Sequence, residues 1–204
     1  MSVRAAGHLL LVLSGLALAE PPPPPAPSPP LPVIDPAKEL KGAALLDALH
    51  AGGYVLYMRH GRQGGPQDEI PCSRANLIAE GVEQAKKVGE ALHALKIPVG
   101  AVRASRFCRA IETARLLGFG EPQVTGDLDF AIGDSPLHAA RRKRLAEAPP
   151  AGMNVLVVSH GHAGPNDADK VQLELAEIIV YRPDGHGAAE PVARIRLEDW
   201  ARLR

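Results

Sequence analysis

A histidine beside an arginine at the end of an apolar run is equipped for phosphoryl chemistry. Arg59-His60-Gly61 closes the run Tyr54-Val55-Leu56-Tyr57-Met58. An imidazole can attack phosphorus, and a guanidinium can hold two phosphate oxygens at once. Two further segments carry matching residue types. One is Ser105-Arg106-Phe107-Cys108-Arg109-Ala110-Ile111-Glu112-Thr113-Ala114; the other ends a second apolar run as Ser159-His160-Gly161-His162. A phosphomonoester carries close to two negative charges, so its site needs fixed donors and cations. Arg59, Arg109 and His160 are suited to supply them. Phosphoryl transfer asks mainly for positioning and charge stabilisation, so arginines can do this work without a metal or cofactor.

These residues need a scaffold that gathers them. Tyr54–Met58, Gly100–Ala104 and Asn154–Val158 read as short buried strands. Ile78, Val82, Ala85, Val88, Leu92 and Leu95 recur every three or four residues, which predicts an amphipathic helix. Helices are also expected over Arg109–Leu117 and over Leu137–Ala148, the latter stopped by Pro149-Pro150. An earlier helix is expected over Pro36–His50, with Asp35 as N-cap and Pro36 in the first turn. Strands at Ile178–Tyr181 and Val192–Leu197 flank the turn Pro183-Asp184-Gly185. Helices alternating with apolar strands predict an α/β three-layer sandwich, a mostly parallel sheet with helices on both faces. Active sites in such sheets lie at the carboxyl ends of the strands. His60, Ser105 and His160 each follow a strand, so three distant segments should converge on one crevice.

Together these motifs resemble the histidine phosphatase (phosphoglycerate mutase-like) superfamily, over roughly Gly53 to Arg182. The resemblance implies that His60 is the nucleophile and passes through a phosphohistidine. It places Arg59, Arg109 and His160 around the phosphoryl group. Arg109 fits the spacing of the motif's arginine, and Arg106 stands where the family usually has proline, which leaves it a place at the rim. His162 is expected on the rim, against a leaving group. Ser105 and Thr113 read as turn and helix-cap groups. Expelling an alkoxide calls for a proton donor. Many family members carry a glutamate two residues after a leucine; here that position, after Leu128, is Phe130. Asp129 is the favoured acid, with Asp127, Asp134 and Glu177 as alternatives. Only about 50 residues separate Arg109 from His160, which resembles the short members with an open pocket and argues against a glycolytic mutase.

Lys+Arg and Asp+Glu both number 23, so no global field points to nucleic acid or an anionic membrane. Aromatic residues are 3%, too few for base-stacking platforms. Arg4, the short apolar stretch Leu9–Leu18 and Ala17-Leu18-Ala19 form an export-signal pattern over residues 1–19. Half of the 20 prolines fall between Pro21 and Pro36, so residues 20–35 are expected to act as a stiff spacer ahead of a domain over 36–204. The expected location is periplasmic or secreted, with membrane contact only through an uncleaved signal. Cys72 and Cys108, the only cysteines, suggest one disulfide in an exported protein.

Two other readings stand beside the phosphatase. A phosphate-binding module would keep Arg59, Arg109 and His160 without the acid. A metal-binding protein would use His60, His160 and His162, since histidine suits zinc and copper, although Arg59 would repel a cation. The run Arg141-Arg142-Lys143-Arg144 is expected as a solvated helix face, with a phosphorylated cell-envelope glycolipid as the alternative partner. Otherwise the expected partner is a small phosphorylated substrate.

Overall fold

The computed structural model describes residues 34–65, 70–131, 135–161 and 173–203. The expected export signal lies outside them, as do nearly all of the proline spacer, His162 and Asp134.

Among the described residues, ten elements carry the fold. They are α1 (Gly42–Ala51), β1 (Val55–Arg59), α2 (Ala79–Ala94), β2 (Val99–Ala104), α3 (Cys108–Leu116), β3 (Gln123–Val124), α4 (Leu137–Ala146), β4 (Asn154–Ser159), β5 (Ile178–Pro183) and β6 (Ala189–Ile195). Single 3₁₀ turns lie at Gly126–Leu128 and Asp199–Arg202. The six strands form one sheet in the order β3-β2-β4-β1-β5-β6. β1 pairs parallel with β4, β4 with β2, and β2 with β3. β5 alone runs the other way, antiparallel to both β1 and β6. The expected mostly parallel α/β sheet is therefore what the chain forms.

Alternation along β1 shows why the sheet is covered twice. Leu56 and Met58 point into a core with Leu45 and Leu49 of α1, Val88 and Leu92 of α2, and Ala110 and Ala114 of α3. Val55 and Tyr57 point the other way, against Leu128, Leu145 of α4 and Leu173. A strand buried on both faces reads as a continuous apolar run, which is how β1 and β4 appear in the sequence. Asn154 is the polar exception in β4. Its amide donates to Leu49 O (2.7 Å) and Pro98 O (2.9 Å) and accepts from Tyr54 N–H (3.2 Å), closing the sheet's far end.

Three expectations need correction. The first helix begins at Gly42, six residues later than Asp35 and Pro36 implied. Asp35 instead accepts Ala37 N–H and closes a turn at residues 36–38. Leu40 N–H then donates to Val192 O at 2.7 Å, so pairing with β6 overrides the local cap. The helix α4 ends at Ala146 rather than Ala148. Glu147 is extended there and held by Arg103 and Arg144. The basic run on α4 is not a uniform solvated face either. Arg141 is fully buried and donates to Asp129 O at 2.8 Å, and Arg144 pairs with Asp127 and Glu147.

Candidate active site

Because β2, β4 and β1 are neighbours and parallel, their carboxyl ends open on the same edge of the sheet. His60 follows β1, Ser105 follows β2 and His160 follows β4. Arg59, His60, Arg109, His160 and Phe130 line one cleft of about 380 Å³, with Arg62, Gln63 and Gly161 among the other lining residues. The described lining residues include no carboxylate.

Arg109 is the centre of the cluster. It is brought there by α3, whose first turn follows directly on the turn after β2. Its Nε donates to His60 Nε2 at 3.0 Å and its Nη2 contacts His160 Nδ1 at 3.1 Å. Phe107 lies under the guanidinium, 4.4 Å from ring centroid to Cζ, and is edge-on to His160. Guanidinium nitrogens only donate, so both imidazole nitrogens facing Arg109 carry lone pairs. His60 Nδ1 must then hold the ring proton, and it meets Gly61 O at 2.8 Å. That carbonyl fixes the tautomer that leaves Nε2 nucleophilic.

The backbone of Gly61 explains the third residue of the first motif. A Cβ there would meet Gly81 O, in the first turn of α2, at 2.5 Å. Thr113 ties the same turn to α3. Its hydroxyl accepts Gly61 N–H at 3.0 Å and donates to Arg109 O at 2.7 Å. Thr113 was not expected to act on the site. Its spacing of four from Arg109 puts both on one helix face, a signal the sequence does contain. Ser105 is also more than a turn group: its hydroxyl lies 2.8 Å from His160 Nε2.

Arg59 reaches the cleft from the end of β1 and donates to Leu173 O at 2.6 Å. Burial, and next the charge of Arg109, pull its pKa below the ordinary guanidinium value. Two close cations among neutral histidines make a cleft that favours a dianion.

Burial, with Arg109 as the next lowering cause, drops His60 to about 3 and His160 to about 2. Both rings are therefore neutral at pH 7. The consequence for stability has a definite sign. An unfolded histidine takes up a proton near pH 6.5, and the folded ones do not until about pH 3 for His60 and about pH 2 for His160. Stability is thus complete above about pH 6.5 and is lost as pH falls toward 3, by up to about 1.4 kcal/mol per pH unit for each histidine. Urea midpoints at pH 7.5 and 5 should show this slope, and His160→Asn should flatten it; an unchanged slope would place the titration elsewhere.

The described candidate acids, Asp129, Asp127 and Glu177, do not line the cleft. Asp129 is buried, but Arg106 holds it through Nε (2.7 Å), Nη2 (2.5 Å) and its backbone N–H (2.9 Å). The next residue, Phe130, lines the cleft instead and stands edge-on to His160. Asp129 thus stands outside the cleft lining and anchors the loop that carries Phe130. Arg106 is turned away with it and lines a neighbouring shallow cleft with Ile70 and Val124. Asp127 pairs with Arg144. Glu177 is fully buried between Arg194 and Arg196 and accepts Glu174 N–H. No group of three His, Cys, Asp or Glu among the described residues is placed to hold a metal. Cys72 and Cys108 are bridged, with Cα atoms 4.8 Å apart, next to Arg109. The bridge and Glu112, which accepts Asn76 and Leu77 N–H, tie the loop after His60 to α3.

The site is thus an arginine-rich cleft built around an imidazole lone pair. The family model of the histidine phosphatase superfamily (branch 1) matches residues 55–129, from β1 through the 3₁₀ turn before Phe130. The superfamily resemblance read from the motifs therefore holds. The chain is similar in structure to the protein histidine phosphatase SixA in a tungstate complex. The TM-score is 0.56 at 20% identity, covering 72% of this chain and 98% of that one. It is also similar to an Escherichia coli K-12 protein described as a candidate alpha-ribazole-5'-P phosphatase. There the TM-score is 0.55 at 17% identity, covering 72% and 98%. These likenesses establish the fold. No curated protein matches the chain in sequence.

Proposed function

We propose that this chain is an exported phosphatase that works without a metal, through a phosphohistidine at His60. One observation carries the reading. A single guanidinium, Arg109, touches the lone-pair nitrogens of both His60 and His160 in a cleft with no carboxylate among its described lining residues. A phosphoryl group seated there would meet a nucleophile and cations together. The nucleophile attacks phosphorus, the P–O or P–N bond of the leaving group breaks, and water then attacks the phosphohistidine in line. The two structural neighbours are described as acting on protein phosphohistidine and on a phosphomonoester, and both substrate types fit this chemistry. The disulfide supports the export reading, because such bridges persist in oxidising compartments.

Phe130 at the cleft and Asp129 tied to Arg106 leave no described carboxylic acid to protonate a leaving oxygen. Substrates with good leaving groups are favoured on that account: aryl phosphates and phosphoramidates over alkyl phosphates. The same observation favours, as the second reading, a binding module that holds phosphate without turning it over.

The test is turnover of para-nitrophenyl phosphate, a phosphoramidate and glycerol phosphate with chelator present. The expected result is turnover of the first two and at least about 100-fold slower turnover of the third, since losing general acid catalysis costs about that much. Phosphate binding without turnover of any substrate would select the binding module, and inactivation by chelator would overturn metal independence.

A further inference from the structure

His160 Nδ1 presents a lone pair to Arg109. That lone pair suits an arginine and opposes a phosphoryl oxygen. If the cleft holds phosphate, as proposed above, the ring must present an N–H there instead. What stands at its other nitrogen decides whether it can.

Ser105 stands there. It is fully buried, and its Oγ lies 2.8 Å from His160 Nε2. Phe107 N–H donates to the same oxygen at 3.2 Å, and Ser105 N–H is spent on Val158 O. The hydroxyl oxygen is therefore fixed in place while its proton can turn about the Cβ–Oγ bond. The titratable and charged groups acting on the ring are Arg109, His60, Arg141 and Arg59. None of the four is a carboxylate able to hold an imidazolium.

We infer that Ser105 is the positioning residue that lets His160 reverse its polarity: its hydroxyl accepts from Nε2 while Nδ1 faces Arg109 and donates to Nε2 when a phosphoryl group is bound. The proton count balances. Ser105 keeps its hydroxyl proton and only redirects it. Nε2 releases one proton to water, and Nδ1 takes one from water or from the P–OH of a monoanionic ester. The ring stays neutral throughout: Arg109 Nη2, which faces Nδ1 at 3.1 Å, turns its N–H onto the phosphoryl group, and Nδ1–H then donates to a phosphoryl oxygen. No heavy atom of β2 or β4 needs to move.

The experiment is ¹⁵N NMR of the His160 ring at neutral pH, with and without inorganic phosphate, assigned against His160→Gln. It needs no turnover. Wild-type protein should carry its ring proton on Nε2 when empty and on Nδ1 with phosphate bound. Ser105→Ala should bind phosphate without that exchange, and its kcat for para-nitrophenyl phosphate should fall about tenfold, the worth of one hydrogen bond. Ser105→Thr, which restores a hydroxyl, should recover both the exchange and most of the rate. Phosphate binding with the same tautomer in both states of the wild type overturns the inference and leaves the phosphate site standing. Failure of phosphate to bind overturns both. The wild-type measurement decides the matter even if neither variant folds.

Discussion

His60→Ala should abolish turnover of para-nitrophenyl phosphate, by about 10⁴-fold or more, while inorganic phosphate still binds. Two imidazoles of the described residues face the cleft, with ring centroids 5.5 Å apart, so a cleft lone pair alone does not single out the nucleophile. Gly61 O holds His60 Nδ1, and a carbonyl oxygen can only accept. Nε2 of His60 therefore keeps its lone pair whatever occupies the cleft. His160 has a hydroxyl at the corresponding place, which lets its polarity change. A nucleophile needs the first arrangement and an electrophilic partner the second. Among the described residues of the cleft, His60 supplies the one ring nitrogen whose lone pair is fixed, and removing it leaves Arg59 and Arg109 in place. Rapid quench with radiolabelled substrate should trap phosphohistidine in the wild type and in His160→Ala, but not in His60→Ala. A label retained in His60→Ala would transfer the nucleophile's role to another residue.

The same contrast shows what the sequence could and could not reveal. His60, Arg109 and His160 were legible because each sits just past an apolar strand or in the helix turn that follows one, and parallel neighbours must bring such positions together. The sheet was legible for a related reason: β1 and β4 are buried on both faces and so appear as unbroken apolar runs. The setting of Asp129 was not legible, because residue type says nothing about which way a loop carboxylate faces. Arg106, which looked like a rim residue, claims that carboxylate with its backbone and its side chain. Arg141 was misread inside a basic run because the run's charge is visible in the sequence and the buried carbonyl it satisfies is not. Ser105 and Thr113 carry hydroxyls that serve equally well as caps or as links in a site, and only the fold tells which. The late start of α1 came from Leu40 pairing with Val192, a contact across 152 positions that no local cap signal contains.

Arg109→Lys should lower kcat for para-nitrophenyl phosphate by about 10³-fold with the fold intact, the second large effect expected here. The substitution keeps the charge, so a site needing only a cation would survive it. This site needs geometry as well. The planar fork stands between the two rings, 3.0 Å and 3.1 Å away, where it can hold two phosphoryl oxygens at once. A lysine ammonium is a single point on a flexible stem and cannot hold both. The Phe107 ring, packed 4.4 Å from Cζ, also fixes the plane of the guanidinium and would lose that contact. Thr113 would remain to tie Gly61 to α3, and the Cys72–Cys108 bridge would still anchor the start of the helix. Thermal midpoints should therefore shift by only a few degrees, as a change of about 1 kcal/mol implies. The loss should fall on kcat more than on KM, because the planar fork is worth most when charge gathers on the equatorial oxygens in the transition state. Activity within tenfold of wild type would mean that Arg109 acts as a bulk charge. Arg59 would then become the residue that holds the phosphoryl group in line with His60.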